Sequence, residues 1–304
     1  MLIAAELLPT VAAAQLNTQH VKGASGLKAG SQPPPGGYVI APLLYIYDTD
    51  TVKDADGNPL DIDATLTSAL FAAGYSQVTT KKILGGFYGF SVLFPAGANN
   101  RIQGTEINQN PGAGLTDSVV TPITLGWHTP RADAMAGFTV YVPTGRYADG
   151  ARNNTGFGMW GFEPSLGTTI YLDPKRQYHA ATVVSFDVQS SKKDSTTKVG
   201  NEINFEGGLG SDFMNGKLTT GLAYYWAIKM SDDQIQGVPP FLLRGKNTTF
   251  GLGPEATFPI EKNRTIYAFV TARVFWETYA RVTTQGNSFL ISVTFPTKPI
   301  KLPG

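Results

Sequence analysis

The 304-residue sequence predicts an all-β fold: a transmembrane antiparallel β-barrel of about twelve strands, with short periplasmic turns and long extracellular loops. Three observations predict this class. Apolar and polar residues alternate along most of the chain, short connections alternate with long ones, and one face of each strand is free of charge. Together these patterns are typical of barrels that span an outer membrane.

Alternation with a period of two residues divides the chain into strands. In 264–280, for example, Ile266 and Val270 share one face while Phe269 and Arg273 share the other. The predicted strands are 38–48, 59–70, 80–94, 116–129, 134–143, 156–172, 177–189, 199–210, 216–229, 245–258, 264–280 and 285–295.

The connections between strands are the second observation. After even-numbered strands they are short, as in TPRAD and PIEKNR, and after odd-numbered strands they are mostly longer, as in DTDTVKDADGNP and PTGRYADGARNNT. Outer-membrane barrels combine an even strand number with short turns at one end and longer loops at the other.

The uncharged strand faces favour a membrane barrel over a soluble β-sandwich or barrel, whose strands also have one apolar face. Lys or Arg at the bilayer midplane costs about 2–4 kcal/mol, so a lipid-facing surface excludes these residues. The predicted strands, at roughly 10–16 residues, also exceed the usual length of about 5–6. Trp127, Trp160, Trp226 and Trp276 fall near strand ends, where aromatic girdles lie.

The last predicted strand is expected to close the barrel. In SFLISVTF, Phe289, Ile291, Val293 and Phe295 share one face and should point towards lipid. Pairing with the first strand would leave no open edge. A terminal strand that ends in an outward aromatic resembles the signal presented to the barrel-assembly machinery. Prolines in the tail 296–304 prevent it from extending the strand.

Composition limits the function and suggests a domain order. A net charge of +1 provides no field for gathering nucleic acid, and the absence of cysteine excludes disulfides and thiolate sites. The start resembles the remnant of a secretory signal, with Ala12 and Ala14 before Gln15, although a native N-terminal segment is the alternative. The predicted domains are 1–14 (signal remnant), 15–37 (periplasmic or lumenal segment), 38–295 (barrel) and 296–304 (periplasmic tail).

The strand faces opposite lipid are predicted to line the lumen and the substrate path. The candidate residues are Tyr225, Lys229, Glu255, Tyr267, Phe269, Arg273, Phe275, Glu277 and Tyr279. Water-filled porins need polar walls, because apolar constrictions tend to dewet. A partly aromatic lumen offers apolar area to a poorly soluble ligand instead. The alternative is that the rings merely fill a small barrel.

Two segments outside the strands are further candidates. The stretch GASGLKAGSQPPPGGY is too rich in Gly and Pro for a helix or strand, and is either a plug in the lumen or a solvated linker. The candidate plug residues are Pro33, Pro34, Pro35 and Gly36. The loop QGVPPFLLRG is predicted to expose apolar side chains, which would contact a ligand, lipid or another loop. These loop residues are Phe241, Leu242 and Leu243.

No residue is predicted to be catalytic, and neither a metal nor a cofactor is expected. His179, Ser185 and Asp187 share a strand face, but at about 3.4 Å per residue His179 lies about 20 Å from Ser185. That distance is too long for a catalytic triad. No group of His, Asp and Glu has the sequence spacing of metal ligands.

Several stretches carry a family resemblance, and their order is specific. They include GASGLKAGSQPPPGGYV, KKILGGFYGFSVLFP, WGFEPSLGTTIYLDPKRQYH, TTGLAYYWAIKMSDD and GLGPEATFP. Over most of residues 23–295 the sequence resembles the family called "Putative MetA-pathway of phenol degradation". This resemblance implies a twelve-stranded channel in the outer membrane of Gram-negative bacteria, linked to aromatic degradation, that takes up small hydrophobic molecules passively.

The expected partners are therefore small hydrophobic or aromatic molecules, outer-membrane lipid and lipopolysaccharide, and the barrel-assembly machinery. Two other functions stay open: a general small-solute diffusion channel and a structural or adhesive barrel. The aromatic lumen favours the channel for hydrophobic compounds. Polar replacements of Phe269 and Phe275 are accordingly expected to raise leakage of polar solutes and lower the uptake of aromatic ones.

Overall fold

The computed structural model describes residues 16–104, 108–110, 112–151, 153–213, 217–237 and 246–301. These residues form twelve long strands and two strands of two residues. The bounds are β1 Gly36–Val52, β2 Ala64–Ile83, β3 Gly86–Gly104, β4 Asn108–Gln109, β5 Ser118–His128, β6 Ala132–Val142, β7 Gly161–Tyr171, β8 Tyr178–Gln189, β9 Glu202–Phe213, β10 Leu218–Lys229, β11 Thr248–Lys262, β12 Thr265–Arg281, β13 Thr284–Pro296 and β14 Ile300–Lys301. Within the described ranges, no helix has the length and apolar character needed to cross a membrane.

The twelve long strands form a closed antiparallel barrel, which confirms the predicted fold class. Each strand pairs with its neighbours along the chain, and β13 pairs with β1 to complete the circle. The closing pair aligns Val39 with Phe295 and Ile46 with Phe289. Closure pairs the strand edges that an open sheet would expose, as a barrel in lipid requires.

The connections define two ends of the barrel. At the turn end they cover 84–85, 129–131, 172–177, 214–217 and 263–264. At the loop end they cover 53–63, 105–117, 143–160, 190–201, 230–247 and 282–283. All but the last of the loop-end connections are long, whereas β12 and β13 are joined there by Val282 and Thr283 alone.

The structure corrects the strands predicted at 59–70 and 80–94. β2 and β3 are both longer and meet at a two-residue turn formed by Leu84 and Gly85, with φ of 50° and 80°. Positive φ at both central residues is the geometry of a type I′ hairpin turn, in which Asn or Gly usually occupies the first position. Because leucine is unusual at that position, the sequence does not indicate a turn there. The strand predicted at 80–94 therefore includes the turn residues.

The two faces of the wall differ sharply in exposure. On β10, Leu222 and Trp226 are 50% and 44% exposed, whereas Ala223 and Tyr225 are 0% and 1% exposed. The outer face carries large exposed apolar side chains around the barrel, among them Phe71, Phe94, Phe138, Leu166, Ile170, Leu209, Phe258, Ile260, Trp276, Phe289 and Phe295. A continuous apolar exterior of this kind suits contact with lipid.

Residues 16–32, called here the inner segment, lie inside the barrel. At the loop end the Leu16 amide donates to Asp233 Oδ2 at 2.8 Å, and at the turn end Ser31 Oγ donates to Asp133 Oδ2 at 2.8 Å. The inner segment therefore runs the length of the lumen before the chain enters the wall as β1. Residues 1–15 lie outside the described part of the chain, so the signal remnant stays a prediction.

The C-terminal tail turns back beside the wall. β13 ends at Pro296, and β14 then pairs with Thr265 and Ile266 at the start of β12. The Thr297 amide donates to the Gly37 carbonyl at 2.8 Å, which ties the tail to the start of β1. The tail thus covers the turn-end rim and does not lengthen the closing strand.

Candidate functional site

Carboxylates of the inner wall hold the backbone of the inner segment. Glu206 of β9 accepts hydrogen bonds from the amides of Gly23 and Ser25 at 2.6 and 2.7 Å. Glu255 of β11 accepts one from the Leu27 amide at 3.0 Å. Hydrogen bonds to a charged acceptor are roughly twice as strong as neutral ones. Both carboxylates are at most 5% exposed, so they act in a water-poor environment.

Arg273 of β12 donates hydrogen bonds to backbone carbonyls of the inner segment. Its Nε donates to Glu255 Oε2 at 2.7 Å, and its Nη1 donates to the carbonyls of Gly23 and Ala24 at 3.3 and 2.6 Å. Arg273 and Glu255 therefore bind each other and also satisfy both kinds of backbone polar group in the inner segment. Both side chains therefore lie on the inner side of the wall.

An apolar cluster joins the inner segment to the wall near its middle. Leu27, Ala223, Tyr225 and Phe275 form this cluster, and each is at most 1% exposed. Gly23 packs directly against the Phe275 ring with φ of 77°, where a Cβ would both collide with the ring and strain the backbone. The rings of Tyr225 and Phe275 thus pack on the inner segment here, which favours the filling role that the sequence left open for them.

A cavity of about 400 Å³ lies between the inner segment and the wall in the loop-end half of the barrel. Strands β1, β2, β3 and β5 supply the side of the cavity opposite the inner segment. Its apolar lining comprises Leu66, Leu70, Leu93, Pro95, Ile102 and Val119, and its polar lining includes Tyr45, Tyr47, Ser68, Tyr141, Glu202, Glu277 and Thr284. The cavity can therefore take a small molecule that is mostly apolar with one or two polar groups.

Hydroxyl groups at the edge of this cavity are held in fixed positions. Tyr47 Oη donates to Glu277 Oε2 at 2.9 Å and accepts from Thr284 Oγ1 at 2.9 Å, while Tyr141 Oη donates to Glu163 Oε2 at 2.6 Å. A phenol oxygen that donates its proton keeps lone pairs free to accept a hydrogen bond. Both tyrosines can thus present an acceptor to a hydroxylated guest.

Two further cavities lie in the turn-end half. One, of about 390 Å³, is largely apolar and is lined by Pro33, Tyr38 and Ile40 among others. The other, of about 480 Å³, includes Lys28 and Arg273 in its lining. Phe269 lines both of them. The middle of the inner segment, whose carbonyls bind Arg273, lies between these two cavities and the loop-end cavity.

The structure brings most of the predicted lumen residues inside the barrel. Glu277 accepts the hydroxyl protons of Tyr47 and Tyr225 at 2.9 and 2.8 Å. Lys229 donates to Asp233 at 2.8 Å and to the Leu16 carbonyl at 2.5 Å. These side chains fix the inner segment and its surroundings rather than lining an open path.

One of the predicted lumen residues, Tyr279, is placed differently. A bulge at Thr278 puts Tyr279 opposite Phe250, which in turn lies opposite the exposed Trp226. Directly paired residues share a face of the sheet, so Tyr279, 45% exposed, lies on the outer face. Tyr267 lies in a second bulge and is 48% exposed. The bulge at Thr278 inserts one residue and reverses, at Tyr279, the alternation on which the prediction relied.

The prolines predicted as the plug are also placed differently. Pro33, Pro34 and Pro35 are exposed at the turn end, and Gly36 begins β1. The residues that occupy the lumen are those of the inner segment, upstream of the prolines. The loop residues Phe241, Leu242 and Leu243 lie outside the described part of the chain.

One group of residues was missed because its members are remote in sequence. His20 lies between Glu163 and Glu206, with 3.0 Å from Nδ1 and from Nε2 to the respective carboxylate oxygens. His20, Glu163 and Asp187 each place one possible metal-ligand atom within 4.8 Å of the others. The prediction of no metal site relied on sequence spacing, which does not register residues this far apart in the chain. No local sequence pattern points to His20 or links it to the two acidic residues.

Comparisons with known proteins agree with this architecture. The sequence model of the family described as "Putative MetA-pathway of phenol degradation" matches residues 49–293. Among solved structures, the COG4313 outer membrane channel from Pseudomonas putida F1 superposes with a TM-score of 0.71 at 12% identity, covering 92% of this chain and 99% of that chain. An OmpT loop-deletion mutant from Vibrio cholerae gives a TM-score of 0.39 at 8% identity, covering 86% and 99%. No curated protein sequence matches. The similarity to the COG4313 channel shows a shared fold.

Proposed function

Because the chain belongs to the family "Putative MetA-pathway of phenol degradation", we propose that it is an outer-membrane channel for passive uptake of small hydrophobic compounds, aromatic ones above all. In this proposal the loop end faces the exterior and the turn end faces the periplasm, as in other outer-membrane barrels. The observation that carries the proposal is the cavity of about 400 Å³ with its apolar wall.

The cavity wall has the chemistry that a small aromatic molecule needs. Burying a ring of the size of a Phe side chain is worth about 1.5–3 kcal/mol, and the apolar side chains from β2 and β3 provide the surface for it. A channel must bind its solute strongly enough to admit it and weakly enough to release it. Hydrophobic contact of this size, with a hydroxyl acceptor from Tyr47 or Tyr141, satisfies both conditions.

Passage to the periplasm requires movement of the inner segment. The backbone around Gly23 and Ala24, together with Arg273 and Glu255, lies between the loop-end cavity and the turn-end cavities. Release of these hydrogen bonds would join the cavities into one path. The solute would then meet Phe269 as the next aromatic surface on the turn-end side.

The buried charges of the lumen favour a second candidate, a general channel for small polar solutes. Glu202, Glu206 and Glu255 are each at most 5% exposed and line the same barrel. Displacing the inner segment would free these carboxylates to bind polar or cationic solutes. The two candidate functions differ in their response to a polar substitution in the apolar cavity wall. The flux of aromatic solutes should fall in a hydrophobic-compound channel, whereas the flux of polar solutes should not depend on that wall.

Solute flux through protein in liposomes separates the candidates. The protein is compared with Leu70→Asn, which places an amide in the apolar cavity wall, and with Leu115→Asn as the matched control. Leu115 is 65% exposed in a loop-end connection. A hydrophobic-compound channel should pass phenol faster than protein-free liposomes do, lose most of that flux in L70N, and keep it in L115N. Rapid glucose flux with phenol flux at the protein-free level would overturn the proposal in favour of a general channel.

A further inference from the structure

Ionisable side chains from four parts of the chain meet around His20. The imidazole comes from the inner segment, Glu163 from β7, Asp187 from β8 and Glu206 from β9. Glu163 and Glu206 lie on opposite sides of the ring, each 3.0 Å from one of its nitrogens. Asp187 completes the group, with a ligand atom within 4.8 Å of those of His20 and Glu163.

Asp187 is incompletely satisfied although it is 0% exposed. Its Oδ2 accepts a hydrogen bond from Asn204 Nδ2 at 2.7 Å. Its Oδ1 is buried and has no hydrogen-bond partner among the described residues. A buried carboxylate oxygen without a partner is costly, so this atom calls for a cation or a proton.

The charge balance of the group points the same way. Three carboxylates, those of Glu163, Asp187 and Glu206, surround a single imidazole. Even a fully protonated His20 would leave the group negative. Lys229 of the adjacent strand β10 binds Asp233 and the Leu16 carbonyl instead. A divalent cation would supply the missing positive charge at one point.

We propose that His20, Glu163 and Asp187 form a binding site for a divalent metal ion with the ligand preferences of Zn²⁺. Zn²⁺ takes imidazole nitrogen and carboxylate oxygen ligands at about 2.0–2.2 Å, so neighbouring ligand atoms in a tetrahedral site lie about 3.4 Å apart. The Nδ1 to Oε2 distance is 3.0 Å and the ligand atoms of the three residues all lie within 4.8 Å of one another, so modest side-chain shifts would reach this spacing. Binding through Nδ1 releases the proton on that nitrogen to solvent.

Each of the three ligands has an outer partner that would orient it. His20 Nε2–H donates to Glu206, which is the carboxylate–histidine arrangement common around zinc. Tyr141 donates to Glu163 at 2.6 Å, and Asn204 donates to Asp187 at 2.7 Å. These bonds hold the ligand atoms in place while leaving Asp187 Oδ1 available.

A metal at this position would fasten the inner segment to the wall. His20 belongs to the inner segment, whereas Glu163 and Asp187 belong to two adjacent strands. Bound metal therefore stabilises the docked arrangement only, and it should slow every motion that carries residues around His20 away from β7 and β8. This inference does not depend on which solute the barrel conducts.

Calorimetric titration of tag-free, full-length protein in detergent micelles tests the site. After treatment with chelator, the protein is titrated with Zn²⁺, and the bound environment is read from the visible spectrum of Co²⁺. One equivalent per chain is expected. Binding should be at least tenfold weaker in His20→Gln and in Asp187→Asn. It should be about 10–100-fold weaker in Glu206→Gln, which changes the outer partner of His20 and also the acceptor of the Gly23 and Ser25 amides.

His128→Gln is the matched control, because His128 Nδ1 also lies near a carboxylate, 3.1 Å from Asp133 Oδ1, but outside this group. Its affinity should equal that of the unaltered protein. Asp187→Asn preserves the side-chain volume, and its amide oxygen can accept the hydrogen bond that Asn204 donates to Asp187. We therefore expect a folded variant, and its circular dichroism spectrum should match that of the unaltered barrel. Zn²⁺ should also slow amide exchange of residues 16–25 in the unaltered protein and leave it unchanged in D187N. Binding below one equivalent, or equal affinity in D187N and the unaltered protein, would overturn the assignment.

Discussion

Leu27→Ala weakens docking of the inner segment without removing any ionic contact. The Leu27 side chain is 0% exposed and packs against Ala223, Tyr225 and Phe275. Replacement by alanine removes three carbons from this cluster, at about 0.8 kcal/mol each, so docking should lose about 2.4 kcal/mol. Incomplete relaxation of the resulting cavity would increase this loss. At about 1.4 kcal/mol per factor of ten, the undocked population should rise roughly 50-fold.

Amide hydrogen exchange measures that population directly, because local opening exposes the amides of the inner segment. Exchange of residues 21–32 should accelerate roughly 50-fold in Leu27→Ala, by the arithmetic above, while exchange of the strand amides stays unchanged. Leu222→Ala is the matched control, because Leu222 is 50% exposed on the outer face of a neighbouring strand. Acceleration of less than about threefold, a change below roughly 0.7 kcal/mol, would refute an anchoring role for Leu27.

Two further substitutions test the contacts that hold the inner segment in the barrel. Arg273→Gln leaves Glu255 without its cation, which costs about 3–5 kcal/mol for a buried pair, so single-channel conductance in planar bilayers should rise. Lys217→Gln breaks an ion pair whose lysine side chain is 52% exposed and should leave conductance unchanged, since such pairs contribute about 0–1 kcal/mol. Equal conductance in both variants would contradict a gating role for Arg273. Gly30→Val introduces a Cβ that overlaps the Thr168 backbone, so trypsin should cut the inner segment faster while the barrel stays intact. Unchanged cleavage would show that this close approach is not needed for docking.

The barrel itself could be predicted because its determinants are local. A period of two residues, repeated over long strands, specifies which side chains face lipid, and β10 with Leu222 outside and Tyr225 inside follows it strictly. The closing strand was predictable for the same reason. The strand boundaries around Leu84 were not, because the turn there uses a residue that rarely takes positive φ.

The content of the lumen could be predicted only in part. Alternation identifies Glu255 and Arg273 as inward, yet it cannot show that their partners are backbone groups of residues 23–27. It also fails at Tyr279, where one inserted residue reverses the face. The composition of the N-terminal stretch drew attention to its prolines, whereas the contacts that hold it include those of its backbone amides, of Leu27 and of His20.

The placement of the inner segment also dictates an order of events during folding. Its hydrogen bonds to the rest of the chain span between 92 and 250 positions, so the first described residues depend on strands that are synthesised much later. Contacts of such long range are slow to form. The inner segment can therefore complete its contacts only when strands from β5 to β12 are in place. Docking of the first described residues thus depends on nearly the whole wall.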